Sequence, residues 1–223
     1  MRCTDHRGFW DFNSLRLEVP DPGLSADELA VEADRLQGDL RHRRIEVEHE
    51  DAGRRLRPGF AALGWTSSRL VWMALTEPPP GRDFEAVPVE LTRPLRLDWA
   101  RSEGLELSER DFQRQADAEE DVARRRRVRA LVARDDSGEP TAYALFNTDG
   151  ETAEVDQVYV KAAFRGRGTG GALVAAAARA AAARETFIVA DDEGDAKRLY
   201  VRLGFRPVWI QHELTRRPSA AHG

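Results

Sequence analysis

Residues 54–65 and 194–205 of this chain repeat one another at an offset of 140 residues, counted from Trp65 to Phe205. Both segments close on Leu-Gly-aromatic (Leu63-Gly64-Trp65 and Leu203-Gly204-Phe205), the pattern of a helix stopped by a left-handed glycine. Each follows a short strand pattern with an acidic end (46–51 and 191–193), and each precedes a strand pattern ending at Leu-Thr (75–76 and 214–215). Recurrence of a whole strand-helix-strand order predicts two related units, and 223 residues allow either one large domain or two small ones. The segment 78–83, Pro-Pro-Pro-Gly-Arg-Asp, neither propagates a helix nor fills a central strand. The predicted organisation is therefore a first unit over 1–77, a linker over 78–83, a second unit over 84–217 and a frayed tail over 218–223.

Hydrophobic periodicity fills in the elements. The first unit reads as strand 13–19, a helix opened by the Ser25/Glu28 capping box, strand 44–47, helix 54–63 and strand 70–75. The second reads as strand 86–91, helices 95–101 and 110–126, strands 128–134 and 141–148 joined by the turn 135–138, and strand 154–160. Helix 170–184, strand 187–190, helix 196–203 and strand 208–214 complete it. Antiparallel strands first and strand-helix-strand later is an α/β (α+β) order, a mixed central sheet flanked by helices.

Composition excludes several classes. One cysteine, Cys3, forms no internal bridge, and with no signal peptide at the start the expected compartment is the cytoplasm. No apolar run reaches the roughly 20 residues of a membrane helix, so no membrane partner is expected. The net charge of −5 argues against nucleic acid as a partner and mildly suits a cationic small ligand. The five histidines are scattered without metal-ligand spacing, so no metal is expected. Glu119, Glu120 and Asp121 stand before the run Arg124 to Arg127 at a spacing that predicts ion pairs on a solvated helix face.

The informative run is 155–173, in which a strand ends, a loop becomes glycine-rich and a helix begins. Small residues allow close approach of a ligand to the backbone, and the unpaired amides of a helix start make an anion site. Arg165 and Arg167 add charge-assisted donors. Gly166-x-Gly168-x-x-Gly171 formally matches a dinucleotide fingerprint, with Asp191 downstream. However, residues 161–165 separate it from its strand, and few strands follow it. No Gly-Lys-Ser/Thr ends the run, which argues against a P-loop. A purely structural glycine loop is the plain alternative.

Val158-x-Val160 followed by Arg165-x-x-Gly168-x-Gly170, with Leu199-Tyr200 and Gly204-Phe205 downstream, resembles the two signatures of the GNAT superfamily of N-acetyltransferases. The resemblance covers residues 84–215. It implies a GNAT-like acyl-coenzyme A N-acyltransferase fold, preceded by a partial GNAT-like unit. The first unit resembles only the later part of such a domain: residues 21–25 stand where the Arg-x-x-Gly-x-Gly loop would be, and Phe60 stands at the place of Tyr200. By the same resemblance, the backbone of Val158, Tyr159 and Val160 binds the pantetheine arm of acetyl-coenzyme A, with no metal. The residues Arg165, Gly166, Arg167, Gly168, Thr169, Gly170 and Gly171 hold its diphosphate. Tyr200 is the implied general acid toward the departing thiolate, or else a packed structural ring. Asp156 is the first choice of base, with Glu154 or a water chain as alternatives. The implied reaction is direct acetyl transfer to a primary amine of a small molecule or peptide. The rival readings are a non-catalytic coenzyme A-binding pseudoenzyme and an interaction module, and a homodimer is left open.

Overall fold

The structure, a computed structural model, describes residues 12–21, 23–102 and 108–217. Cys3, His6, Trp10, His222 and the expected tail over 218–223 lie outside the described residues. Contacts gather the chain into two units: Met1–Trp72 with Ala190–Gly194 and Val208–Gly223, and Met73–Val189 with Asp195–Pro207. Neither unit is a single stretch of sequence.

In the first unit, β1 (Leu15–Leu17) pairs in parallel with β2 (Arg43–Val47), from Leu15↔Ile45 to Leu17↔Val47. β2 pairs antiparallel with the end of β9 (Arg206–Arg216), from Val47↔His212 to Arg43↔Arg216. The closing strand of the second sequence repeat thus packs with elements of the first. α1 (Ala26–Gln37) and α2 (Glu50–Ala62) bury Leu29, Ala33, Leu56 and Phe60 over Ile45, Val47 and Leu214. α1 opens on the expected capping box: Ser25 Oγ accepts the Glu28 amide at 3.2 Å, and Glu28 Oε2 accepts the Ser25 amide at 2.8 Å. α2 tolerates Pro58, and its glycines allow close packing. A Cβ on Gly59 would lie 2.6 Å from that of Ala26 on α1. β3 (Thr66–Leu75) begins in this unit.

The ends of the two sequence repeats match bond for bond. After α2, Gly64 takes φ +76° and the Trp65 amide bonds the Phe60 carbonyl at 3.0 Å. After α6 (Asp195–Arg202), Gly204 takes φ +98° and the Phe205 amide bonds the Tyr200 carbonyl at 3.0 Å. Each glycine stops its helix and turns an aromatic ring back onto the ring five residues earlier, Phe60 against Trp65 and Tyr200 against Phe205.

His212 faces α2 so closely that a Cβ on Gly53 would come within 2.2 Å of its ring. The ring is buried, and neither nitrogen has a hydrogen-bond partner among the described residues. Burial holds its pKa below the ordinary histidine value, aided by Arg57, Arg69 and Arg54 and opposed by Glu50. The folded chain therefore binds fewer protons here than the unfolded one, so stability falls as pH drops below about 6.5. In His212→Gln the fall in melting temperature between about pH 7 and about pH 5 is expected to shrink. A fall of the same size would show that the acid sensitivity lies elsewhere.

In the second unit the strand order is β8-β7-β6-β5-β4. β4 (Glu85–Val87), β5 (Arg129–Arg134), β6 (Pro140–Thr148) and β7 (Thr152–Val160) are antiparallel neighbours, and β8 (Glu185–Asp191) joins β7 in parallel. The strand expected over 86–91 is shorter. Pro88 ends β4, and Val89–Thr92 winds into a 3-10 turn. α3 (Arg93–Ser102) and α4 (Glu109–Arg125) follow, then α5 (Thr169–Ala181) after β7. α5 is apolar nearly all round, and Ala175–Ala178 and Ala181 are buried as a helix packed in a core requires.

Glu119 and Glu120 depart from the expected solvated face. Both reach across to Arg96 on α3, whose guanidinium is 1% exposed, at 2.6 Å each. Asp121 pairs along the helix as its spacing suggests, with Arg124 and Arg125. The order of strands and helices is thus the predicted mixed α/β arrangement.

Candidate active site

The ladder between β7 and β8 runs from Thr152↔Glu185 to Val155↔Ile188 and stops there, although β7 continues to Val160. A bulge accompanies the parting. On β6, Leu145 faces Asp156 and Tyr143 faces Tyr159, so β7 carries one extra residue there. Gln157 takes φ +43°, a left-handed conformation uncommon outside glycine. An extra residue bends a strand and sharpens its twist. Beyond it Val158, Tyr159 and Val160 keep β6 on one side, and among the described residues no strand pairs with them on the other. Nothing in the sequence marked this bulge, because Gln157 is not a residue type that signals one.

β7 hands over to α5 through the turn Ala162–Phe164. Gly166 and Gly168 both take φ +76°, and Gly168 is the N-cap of α5 with no side-chain cap. The first bond into the helix runs from the Ala172 amide to the Gly168 carbonyl at 3.0 Å. Among the described residues, no acceptor meets the amides of Gly166, Arg167, Gly168, Thr169, Gly170 or Gly171. No acidic residue occupies the first turn of α5, whereas α1 has Asp27, Glu28 and a closed capping box in its own. The α5 start is therefore an open anion site and the α1 start is self-satisfied. Gly171 also has a packing role, since a Cβ there would lie 3.0 Å from Leu199 on α6.

The two arginines of the turn lean on their own loop. Arg165 Nε donates to the Val160 carbonyl at 2.9 Å, and its guanidinium lies 5.8 Å from the Tyr159 ring centre. Arg167 donates to the Ala163 carbonyl at 3.2 Å and lies over Phe164. Each guanidinium has five N–H donors, so both retain donors beyond these bonds.

Tyr200, on α6, is buried with its ring against Phe205, and its hydroxyl has no hydrogen-bond partner among the described residues. Burial, reinforced by the negative Asp156, pushes its pKa up to about 12, so the phenol stays protonated at neutral pH. Asp156 is exposed, sits one residue past the last β7-β8 rung and accepts the Gln157 amide at 2.7 Å. Glu154 is engaged elsewhere, with Arg126 at 2.8 Å and Asn147 at 3.3 Å. Asp192 pairs with Arg69, and the Asp191 carboxylate takes the Glu193 amide at 2.9 Å.

A contact invisible in the sequence joins this region to α3. The Tyr159 hydroxyl donates to Asp98, and burial together with that carboxylate pushes the phenol up to about 12, against the pull of Arg165. Tyr143 is fully buried, its hydroxyl 3.4 Å from Gln157 Oε1, and belongs to the core. Among the described residues no group of three or more His, Cys, Asp or Glu could hold a metal ion. No helix among them is long and apolar enough to cross a membrane.

The sequence model of the acetyltransferase (GNAT) family matches residues 93–205, half of the chain and the stretch that builds this site. The chain belongs to the GNAT family. No curated protein matches its sequence. Solved structures share the fold at low identity. A functionally unknown conserved protein from Staphylococcus epidermidis has TM-score 0.66 at 16% identity, covering 96% of this chain and 88% of that one. A tandem GNAT protein from the clavulanic acid biosynthesis pathway has TM-score 0.57 at 16% identity, covering 92% and 75%. A GCN5-related N-acetyltransferase from Kribbella flavida has TM-score 0.56 at 21% identity, covering 93% and 82%. These matches extend over the N-terminal region as well as the family segment, in keeping with a GNAT fold preceded by a partial GNAT-like unit. The family typically uses acetyl-coenzyme A, and the open α5 start fits its diphosphate: six amides without acceptors, two left-handed glycines and no competing carboxylate.

Proposed function

We propose that this GNAT protein transfers an acetyl group from acetyl-coenzyme A to a primary amine of a small molecule or peptide, by direct attack. When bound, acetyl-coenzyme A supplies the thioester carbon and a thiolate leaving group. The amides of residues 166–171 hold the diphosphate, and the open edge of Val158, Tyr159 and Val160 bonds the pantetheine amides. Arg165 and Arg167 add positive charge through the donors they retain. Tyr200 gives its proton to the sulfur as the C–S bond breaks. Asp156 takes the proton that the amine gives up as the N–C bond forms, because Glu154 is held by Arg126 and Asn147. The N-terminal unit lacks both devices: Phe60 has no hydroxyl, and the α1 start is filled by its own Glu28. One reaction centre per chain follows.

The observation that carries this reading is the contrast between the two helix starts, the one in α5 open and the one in α1 closed. It is tested by following thiol release from acetyl-coenzyme A with a panel of cationic amines and peptide N-termini. Amine-dependent thiol release is the expected result. Tight coenzyme A binding with no release for any amine would leave a coenzyme A-binding protein without the transferase activity. Absence of binding as well would remove the cofactor reading entirely.

A further inference from the structure

Arg165 is exposed, and a free arginine side chain loses much rotamer entropy when an anion fixes it. Here the side chain is already seated. The Lys161 amide donates to the Thr141 carbonyl on β6 at 2.9 Å, so the Val160 carbonyl, on the other side of the same planar peptide, points away from β6. Arg165 Nε donates to that outward carbonyl at 2.9 Å, which leaves the donors of its two terminal nitrogens for a ligand.

The other half of the seat is Tyr159. Its ring centre lies 5.8 Å from the guanidinium, and its hydroxyl donates to Asp98 on α3. A phenol that has given its one proton to a carboxylate offers only lone pairs to any further neighbour. Asp98 therefore makes the hydroxyl an acceptor beside Arg165 and places a negative charge behind it. The pull of Arg165 on the Tyr159 pKa, against burial and Asp98, is what a guanidinium near that hydroxyl exerts. Asp98 stands on an anchored helix, because Arg96, two residues before it, bonds Glu119 and Glu120 of α4 at 2.6 Å each. Arg167 has a different seat: the Ala163 carbonyl and the Phe164 ring, which bears no hydroxyl.

Resting on the coenzyme A reading above, we infer that Asp98 is a positioning residue for the cofactor: through the Tyr159 hydroxyl it holds Arg165 where the guanidinium meets the diphosphate. The sign of its effect sets this role apart. A carboxylate near an anion site opposes binding by direct charge. Asp98→Ala would therefore tighten coenzyme A if charge alone counted, and would leave it unchanged if the bond only tied α3 to β7. Positioning predicts weaker binding.

Calorimetric titration of the full chain with coenzyme A, with no acceptor present, tests this. Arg165→Ala is expected to weaken binding about tenfold, as loss of a charge-assisted contact implies. Asp98→Ala and Tyr159→Phe are each expected to weaken it about fivefold, the cost of ordering a loosened arginine. Neither is expected to add to the loss in an Arg165→Ala background, whereas each multiplies the loss caused by Arg167→Ala. In turnover, Asp98→Ala is expected to raise KM for acetyl-coenzyme A by the same factor, with kcat at saturation held within about twofold. Tyr159→Phe keeps the buried ring, and an unchanged melting temperature checks the fold. If that variant melts below the parent, Asp98→Ala, at an exposed helix position that suits alanine, carries the test alone. Unchanged or tighter binding in Asp98→Ala, or a loss that multiplies with that of Arg165→Ala, overturns this inference and leaves the coenzyme A reading intact. Failure of the unaltered chain to bind coenzyme A overturns both.

Discussion

Tyr200→Phe is expected to lower the turnover number for acetyl transfer by about a hundredfold or more, the usual contribution of a positioned proton donor. The phenylalanine ring keeps the contact with Phe205, so folding and coenzyme A binding are expected to stay as they were. The loss should therefore appear in kcat and not in the dissociation constant of coenzyme A. The pH profile is a second readout. Because burial and Asp156 push the phenol up to about 12, Tyr200 remains a donor across the working pH range. The rate should climb with pH as the acceptor amine, of ordinary pKa about 10.4, loses its proton. No falling limb from Tyr200 is expected below about pH 11. Retention of kcat within about threefold in Tyr200→Phe would reduce Tyr200 to a packing residue. The same experiment on Phe60 gives a control, since Phe60→Tyr places a hydroxyl where no open helix start accompanies it and is expected to add no activity.

The largest effect on stability is expected at Arg96. Its guanidinium is 1% exposed and bonds Thr92 at 3.2 Å in addition to Glu119 and Glu120. Arg96→Ala takes the buried counter-charge away from Glu119 and leaves Glu120 with Arg93 at 3.1 Å, which costs roughly 3 kcal/mol, the low end for a broken buried pair. For a chain of this size that lowers the melting temperature by about 10 °C. Breaking a buried pair differs from replacing it, so Arg96→Met combined with Glu119→Gln and Glu120→Gln is expected to recover part of the loss. If Arg96→Ala melted within about 2 °C of the parent, the α3–α4 ion pairs would be stabilising nothing. The substitution should also disturb the reaction centre, because α3 carries Asp98, the partner of the Tyr159 hydroxyl.

Local signals were legible in the sequence wherever one residue type has one strong conformational use. Ser25 with Glu28, Gly64, Gly204 and the Gly166/Gly168 turn each behave as their types predict. Cross-chain contacts were not legible. Arg96 sits in a polar-looking helix, and only the packing of α3 on α4 turns Glu119 and Glu120 inward. The Asp98–Tyr159 bond joins a helix to a strand well separated in sequence, and no local pattern records it. The bulge at Gln157 was hidden for a different reason: a left-handed non-glycine residue is imposed by tertiary structure and not by its own preference. At the candidate site the sequence therefore marked the glycine turn but not the parting of β7 and β8 that opens the edge of Val158 to Val160.

The pairing of β2 with the end of β9 bears on how this chain folds. Arg43–Val47 and its antiparallel neighbour His212–Arg216 lie far apart in sequence. Until they meet, this edge of β2 is bare, the kind of surface that recruits foreign strands. Such long-range closure is slow. Severing the gene at the proline segment would give two fragments, each lacking a strand that the other encodes, and co-expression of the two would be the way to recover the fold.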